Sequence, residues 1–196
     1  VAADVVDLYD GAPAAAAPHP DALGAGEVLV SAGGGDVGLP VFRAALSAAR
    51  HDPERRWRLL VGGADATARI ETLRMDAPAN VTLEPARKDF RQMLHHAAAS
   101  ISLCGYNTAL DILQAGTPAV FVPFDAGNER EQGLRAQAMA HLPGIEVVPT
   151  DALDASTLLA KLERVTNASR RMRRTEGLDG AQNTVRIVQD LMEGRA

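Results

Sequence analysis

The sequence is poor in the features that mark secreted and membrane-spanning proteins. Cys104 is the single cysteine, so an internal disulfide is excluded and a reducing compartment is favoured. No apolar run approaches the ~20 residues that a membrane-spanning helix needs. The N-terminus also lacks a charged segment followed by an apolar one, which is typical of a secretion signal. These deficits favour a cytoplasmic chain.

An excess of basic residues and the common metal-binding or hydrolytic motifs are missing as well. The 20 Lys and Arg residues against 25 Asp and Glu give a net charge of −5, which does not indicate nucleic-acid binding. His95 and His96 are adjacent and so point to different faces of a helix, and we interpret both as structural. No G-x-S-x-G or Ser/His/Asp signature occurs, and Cys104 is interpreted as a small buried residue. We therefore expect no metal, no cofactor and no nucleic-acid partner.

Residues 1–26 differ in composition from the rest of the chain. They begin with valine rather than methionine, and they contain the stretch GAPAAAAPHPDALGAG, in which several prolines preclude a continuous helix. We interpret residues 1–26 as a linker or the remnant of a preceding domain, and the chain as a processed or excised fragment. Residues 27–196 are of a length that suits one folded domain.

From residue 27 onwards, strand-like and helix-like segments alternate. Buried-strand patterns occur at residues 28–32, 57–63, 80–85, 100–105, 118–124 and 145–149. Helical patterns occur at residues 39–52, 65–76, 89–98, 107–116 and 128–142, and at about 154–168 and 180–193. This alternation predicts an α/β fold: a doubly wound, Rossmann-like parallel sheet of about six strands with helices on both faces. Ligands of such folds bind beyond the carboxyl ends of the strands, where the strand order reverses.

A glycine-rich loop follows the first predicted strand and precedes a helix. Its glycines are Gly33, Gly34, Gly35 and Gly38. Glycines allow a sharp turn and a close approach of backbone N–H groups, and a helix N-terminus favours a diphosphate. The loop also fits the dinucleotide pattern G-x-G-x-x-G, but the second strand ends in Gly62-Gly63 with Asp65 as the nearest acid, which disfavours NAD. A tight turn without a ligand stays open, and Gly62-Gly63 is either a plain turn or the edge of the same pocket.

The segment after the fourth predicted strand contains candidate sugar-binding residues. Gly105 allows a close turn, and Asn107 or Thr108 can cap the following helix. Asp111 lies one turn further on, where its carboxylate could accept the hydroxyl groups of a ribose. The alternative is a capping box with Thr108 at the N-cap and Asp111 three residues later.

The loop after the fifth predicted strand, DAGNEREQ at residues 125–132, is polar and opens a helix. Glu131 and Gln132 fall in the first turn of that helix, from which their side chains could reach the hydroxyl groups of a sugar. The alternative is a solvated acidic helix start that interacts favourably with the helix dipole.

A basic cluster lies near the C-terminus. Its members are Arg164, Arg170, Arg171, Arg173 and Arg174. The cluster is interpreted as a solvated helix face, or else as a contact with an anionic membrane surface or with a domain outside this chain.

Residues 104–132 resemble the donor-binding signature of family-28-type glycosyltransferases of the B fold. That family includes the lipid-II-forming N-acetylglucosaminyltransferases and a group of bacterial predicted glycosyltransferases with a G-Y-N-T…VPF…E-Q pattern. The matching residues are Gly105, Thr108, Gly116, Pro118, Val122, Pro123, Phe124 and Gln132. Two positions differ: Asp111 stands where the family has glutamate, and Glu131-Gln132 stands in place of a glutamine pair.

The resemblance implies an inverting glycosyltransferase whose donor is a nucleoside-diphosphate sugar, UDP-linked. It places the diphosphate at Gly33–Gly38, the ribose at Asp111, the sugar at Glu131 and Gln132, and the base near Pro85 and Phe90. It also implies that the last helix crosses to an N-terminal acceptor domain, so that this fragment binds donor without turnover. A location at the inner membrane face, a nucleotide-sugar hydrolase or epimerase, a non-catalytic binding module and a nicotinamide-dependent dehydrogenase stay open as alternatives.

Overall fold

The computed structural model describes residues 16–33, 36–125, 130–173 and 180–194, and its core is one parallel sheet. The strands are β1 (Glu27–Ser31), β2 (Arg56–Val61), β3 (Val81–Pro85), β4 (Ala99–Ser102), β5 (Ala119–Phe121) and β6 (Ile145–Val147). Every pair of neighbours is parallel, and the strand order is β3-β2-β1-β4-β5-β6. The predicted doubly wound sheet is therefore confirmed, and its order reverses between β1 and β4.

Seven helices connect or follow the described strands. They are α1 (Leu39–His51), α2 (Ala66–Arg74), α3 (Phe90–Met93), α4 (Tyr106–Ala115), α5 (Glu131–Met139), α6 (Ala155–Asn167) and α7 (Gly180–Met192). Helix α4 ends in Gly116 with a left-handed backbone, as the sequence predicts. Helix α3 is a single turn rather than the ten residues predicted from 89–98. None of the helices that the structure describes is long and apolar enough to cross a bilayer.

Alternating side chains divide the core between the two faces of the sheet. Val28 and Val30 of β1 point to one face, where they pack with residues of α1, α2 and α6. Leu29, between them, points to the other face and packs with residues of α3, α4 and α5. Both faces are thus covered by helices, with α1, α2 and α6 on one face and α3, α4 and α5 on the other.

Ion pairs cover part of the second face, across β1, β2 and β3. Arg58 is opposite Leu29 in the strand register, so it lies on the same face as Leu29. Its guanidinium donates from Nε to Glu27 Oε2 at 2.5 Å and from Nη1 to Glu84 Oε1 at 2.9 Å. The two carboxylates hold the pKa of Arg58 above its ordinary value, chiefly through the hydrogen bond to Glu27. One cation therefore joins three adjacent strands.

The described part of the predicted linker, residues 16–26, packs against the turn that follows α3. The His19 amide donates to Gln92 O at 3.3 Å, and the Gly26 amide donates to His96 O at 3.1 Å. The His19 ring lies 3.3 Å from the Asp89 carboxylate. These contacts attach the segment before β1 to the domain, while residues 1–15 lie outside the described part of the chain.

We expect Arg58→Ala to lower the free energy of unfolding by about 3 kcal/mol, because it leaves the mostly buried Glu27 without its cation. Urea unfolding measures this change. Arg74→Ala is the matched control, because its pair with Glu71 at 3.7 Å joins two exposed side chains. That substitution should cost no more than about 1 kcal/mol. Equal effects of the two variants would contradict the structural role of Arg58.

Candidate functional site

A cavity of about 190 Å³ lies at the carboxyl edge of the sheet, on the β1 side of the strand-order reversal. Ser31 and Gly33 at the end of β1, and Leu60 and Gly62 at the end of β2, form one side. The loop after β3, Phe90 of α3 and Thr108 of α4 complete the wall. The structure thus brings together Gly33, Phe90 and Thr108, which are separated in sequence. Gly62 also lines this cavity. Of its two interpretations, a plain turn or the edge of the same pocket, the structure therefore favours the second.

The glycine loop serves both the cavity and the packing of α1. Gly33 has a left-handed backbone, φ 69°, and lines the cavity. A Cβ on Gly38 would lie 2.3 Å from the carbonyl oxygen of Ala32, so the start of α1 approaches β1 more closely than any side chain allows. Gly34 and Gly35 lie outside the described residues.

The start of α4 differs from the capping-box prediction. Gly105 is the N-cap, with an extended backbone at ψ 151°, and the Ala109 amide donates to its carbonyl at 3.0 Å. Thr108 is therefore the third residue of the helix and not its N-cap, and Asp111 lies in the second turn. The N-cap residue, a glycine, makes no side-chain capping hydrogen bond. The capping box is wrong because Gly105 occupies the N-cap position, three residues before Thr108.

Asp111 forms an ion pair with Arg91, a residue that the sequence analysis missed. The Arg91 Nε donates to Asp111 Oδ1 at 2.6 Å, and the Asp111 side chain is 13% exposed. Burial raises the pKa of Asp111, while the hydrogen bond and charge of Arg91 act in the opposite direction. Arg91 Nη2 also donates to Gln114 Oε1 at 2.9 Å. Arg91 and Asp111 are 20 residues apart, so sequence spacing gives no signal for this pair.

The predicted base-binding segment contains a second arginine that sequence reasoning missed. Arg87 lines the cavity, and its Nε and Nη2 donate to the two carboxylate oxygens of Asp89 at 2.8 and 2.7 Å. The Arg87 hydrogen bond lowers the pKa of Asp89 to about 2. Phe90 lines the cavity, whereas Pro85 ends β3 and pairs in register with Val61. Pro85 therefore belongs to the sheet beside the cavity.

Neither Glu131 nor Gln132 lines the cavity. Glu131 forms an ion pair with Arg135, whose Nη1 donates to Cys104 O at 2.7 Å. The same guanidinium lies 5.0 Å over the ring of Tyr106. Gln132 Oε1 accepts from the Phe124 amide at 3.2 Å. Arg135 therefore links the start of α5 to the start of α4, and Asn107 lies exposed in that first turn of α4.

Cys104 and the adjacent histidines have structural surroundings. Cys104 is fully buried, and burial raises the pKa of its thiol to about 12. His96 Nε2 lies 3.1 Å from His19 O, at the contact with residues 16–26. Within the described ranges, no group of three His, Cys, Asp or Glu side chains could hold a metal ion.

Two members of the basic cluster, Arg170 and Arg171, do not lie on a solvated helix face, whereas Arg164 lies in α6 and is 67% exposed. Helix α6 ends at Asn167, before Arg170 and Arg171. Arg170 donates to the carbonyls of Leu94, His95 and Ala97, and Arg171 donates to those of Thr117 and Pro143. Burial lowers the pKa of both, that of Arg171 to about 10. The predicted solvated face is wrong for Arg170 and Arg171, because their guanidinium groups donate hydrogen bonds to backbone carbonyls that are distant in sequence. Arg174 lies outside the described residues.

We expect Gly38→Ala to destabilise the fold by about 2 kcal/mol, because the contact atom is backbone and α1 must shift away from β1. Thermal unfolding measures the loss. Gly105→Ala is the matched control, since a Cβ there meets no atom within 4 Å and φ is −63°. A Gly38→Ala variant as stable as Gly105→Ala would contradict the close approach.

Comparison with known families identifies most of this domain. The model for the glycosyltransferase family 28 C-terminal domain matches residues 33–190. A protein of Brucella anthropi is 30% identical over 173 residues, covering 83% of this chain and 46% of its own length. A protein of Rubrobacter xylanophilus is 24% identical and covers 80% of this chain and 56% of its own length. Both bear the name UDP-N-acetylglucosamine–N-acetylmuramyl-(pentapeptide) pyrophosphoryl-undecaprenol N-acetylglucosamine transferase. The chain thus spans about half the length of these relatives.

Solved structures share the fold at lower identity. Acinetobacter baumannii MurG superposes with a TM-score of 0.58 at 22% identity, covering 87% of this chain and 50% of that one. The calicheamicin glycosyltransferase CalG4 also has a TM-score of 0.58 at 22% identity, with coverages of 93% and 45%. The predicted Rossmann-like half of a B-type glycosyltransferase is therefore the observed architecture.

Proposed function

The chain belongs to the C-terminal domain of glycosyltransferase family 28. On this premise we propose that it binds a UDP-linked nucleoside-diphosphate sugar for transfer to an acceptor. The observation that carries the proposal is the cavity at the carboxyl edge, between the glycine loop and the start of α4. In doubly wound folds this is the position at which ligands bind.

The cavity offers different surroundings to the two ends of a nucleotide. Leu60, Ala86 and Phe90 contribute apolar lining that suits the flat face of a base. Gly33 of the glycine loop and Thr108 in the first turn of α4 also line the cavity. The positive end of the α4 dipole favours a diphosphate there, and the glycine loop before α1 supplies a second helix start. Asp111, one turn beyond Thr108 on α4, does not itself line the cavity, and we propose that it contacts the ribose at the edge of the cavity.

Glu131 and Gln132 are proposed to orient the transferred sugar. Their helix begins next to the start of α4, because Arg135 connects Glu131 to the carbonyl of Cys104. A sugar attached to a diphosphate at α4 would therefore extend toward α5. Helix dipoles and backbone N–H groups aimed at the diphosphate would stabilise the charge that develops on it as the sugar leaves.

The relatives support the choice of donor. The names of the Brucella and Rubrobacter proteins specify UDP-N-acetylglucosamine as their donor. We propose a UDP-linked sugar for this chain on the same basis, with Asp111 taking the ribose position despite being one methylene shorter than glutamate. The acceptor, and the base that activates it, are proposed to belong to a further domain.

Helix α7 supports a contact with such a domain. Val185, Val188 and Leu191 recur on one side of the helix and are 55%, 48% and 61% exposed. Apolar side chains at helical spacing are usually buried. We propose that the further domain covers them.

The test is a thermal-shift panel with UDP, GDP, dTDP, ADP, NAD and UDP-sugars. A ligand at about 100 times its Kd should stabilise the domain by ~2.7 kcal/mol, which is roughly 5–10 °C at this size. A shift with UDP and UDP-sugars is expected. A shift with NAD alone would overturn the proposal, and so would the absence of a shift with every nucleotide.

Asp111→Asn should lower the affinity for UDP roughly 10- to 100-fold, because it removes hydrogen bonds between a carboxylate and the ribose. At the same ligand concentration the stabilisation should fall from ~2.7 to ~0.4–1.4 kcal/mol. The ligand-induced shift is the measured quantity, because the variant also loses its pair with Arg91. Asp76→Asn is the control, since Asp76 follows α2 and is 78% exposed. An unchanged UDP shift in Asp111→Asn would exclude the ribose role.

Exposure of α7 gives a separate prediction. Val188→Asn and Leu191→Gln should each change the unfolding free energy of this chain by less than about 0.5 kcal/mol, because about half of each residue is already exposed to solvent. Leu158→Ala in α6, at a fully buried position, should cost about 2–5 kcal/mol. Urea unfolding compares the three. A loss above about 1 kcal/mol at α7 would mean that its apolar face is already packed within this chain.

A further inference from the structure

We propose that Arg91 is a positioning residue that fixes the Asp111 carboxylate for the ribose, so that recognition of the 2′-hydroxyl depends on an arginine outside the donor signature. This inference rests on the proposed function, since it assigns a role within the same nucleotide site.

The first argument is the location of the pair. Phe90 and Thr108 both line the cavity, on α3 and α4 respectively. Arg91 is the residue after Phe90, and Asp111 lies three residues after Thr108, on the same side of α4. The contact of 2.6 Å between Arg91 Nε and Asp111 Oδ1 therefore joins the two helices beside the cavity.

The second argument is that Arg91 is itself held in place. Gln114, one turn beyond Asp111, is 4% exposed, and its Oε1 accepts from Arg91 Nη2 at 2.9 Å. A planar guanidinium bound at two positions of α4 has few alternative orientations. The carboxylate that it contacts is fixed in turn. A carboxylate has about four acceptor positions, so the Arg91 contact at Oδ1 leaves capacity for sugar hydroxyls.

The third argument is electrostatic. Asp111 is largely buried, and burial raises the pKa of its carboxyl group. Among the described residues, Arg91 is the charged group that acts against this shift. Its hydrogen bond and charge favour the ionised form of Asp111, which accepts hydrogen bonds from two hydroxyls without competing as a donor.

The experiment compares Kd values for UDP and 2′-deoxy-UDP by calorimetry. The wild-type chain should prefer UDP roughly tenfold, the value of one hydrogen bond to a charged group. Arg91→Gln should lose most of this preference, while its affinity for 2′-deoxy-UDP changes less than about twofold. Arg164→Gln is the matched control, because Arg164 is 67% exposed and pairs only loosely with Glu146 at 3.9 Å. It should keep the wild-type preference.

The pH dependence of UDP affinity provides a second readout, which a simple loss of packing would not change. Without the cation the pKa of Asp111 rises, so Arg91→Gln should lose UDP affinity at a higher pH than the wild-type chain as pH falls from about 8 to 5. Arg91→Lys keeps the charge but not the planar guanidinium. It should show the wild-type pH profile with a UDP preference between those of the wild type and Arg91→Gln.

Each outcome has one meaning. If Arg91→Gln keeps the wild-type preference for UDP over 2′-deoxy-UDP, the positioning role is overturned. An equal loss of affinity for the two nucleotides also overturns it, and shows that Arg91 only supports the wall of the cavity. If Arg91→Gln does not fold, Arg91→Lys decides, and a full wild-type preference in it overturns the proposal. A wild-type chain that binds neither UDP nor 2′-deoxy-UDP overturns the proposed function itself.

Discussion

The reversal of strand order between β1 and β4 is the constraint on which the site depends. Chains leaving these two adjacent strands must turn to opposite faces of the sheet, which leaves a crevice between them at the carboxyl edge. The loop after β1 reaches this crevice through Gly33, and helix α4 begins beside it after Gly105. The hydrogen-bonded sheet therefore supplies the rigid support, and the loops supply the chemistry.

Arginines accompany the carboxylates around this crevice. Arg91 pairs with Asp111, Arg87 with Asp89, and Arg135 with Glu131. Unpaired carboxylates beside a diphosphate would repel it, and the low dielectric of a partly buried site would strengthen that repulsion. With these three carboxylates paired, the field of the α4 N-terminus is left to favour an anion, which fits a site for a nucleoside diphosphate.

Membership of the family 28 C-terminal domain agrees with a chain that contains a proposed donor site and for which we propose an acceptor site in a further domain. It spans about half the length of its Brucella and Rubrobacter relatives and contains the cavity proposed for the donor. The exposed apolar side of α7 is the surface that we propose a further domain covers. If the donor site and the acceptor site lie in different domains, as we propose, this domain can bind the donor without transferring the sugar.

The sequence by itself determined the alternation of strands and helices, the parallel sheet, the helix end at Gly116 and the donor signature at residues 104–132. These features depend on hydrophobic period, turn chemistry and short motifs, which are local. The capping box failed because Gly105 has an extended backbone that only the packed chain fixes. Arg91, Arg135 and Arg170 meet their partners across 20, 31 and 76 residues. Only the tertiary structure decided those pairings, because a long side chain can reach many partners and packing alone selects one.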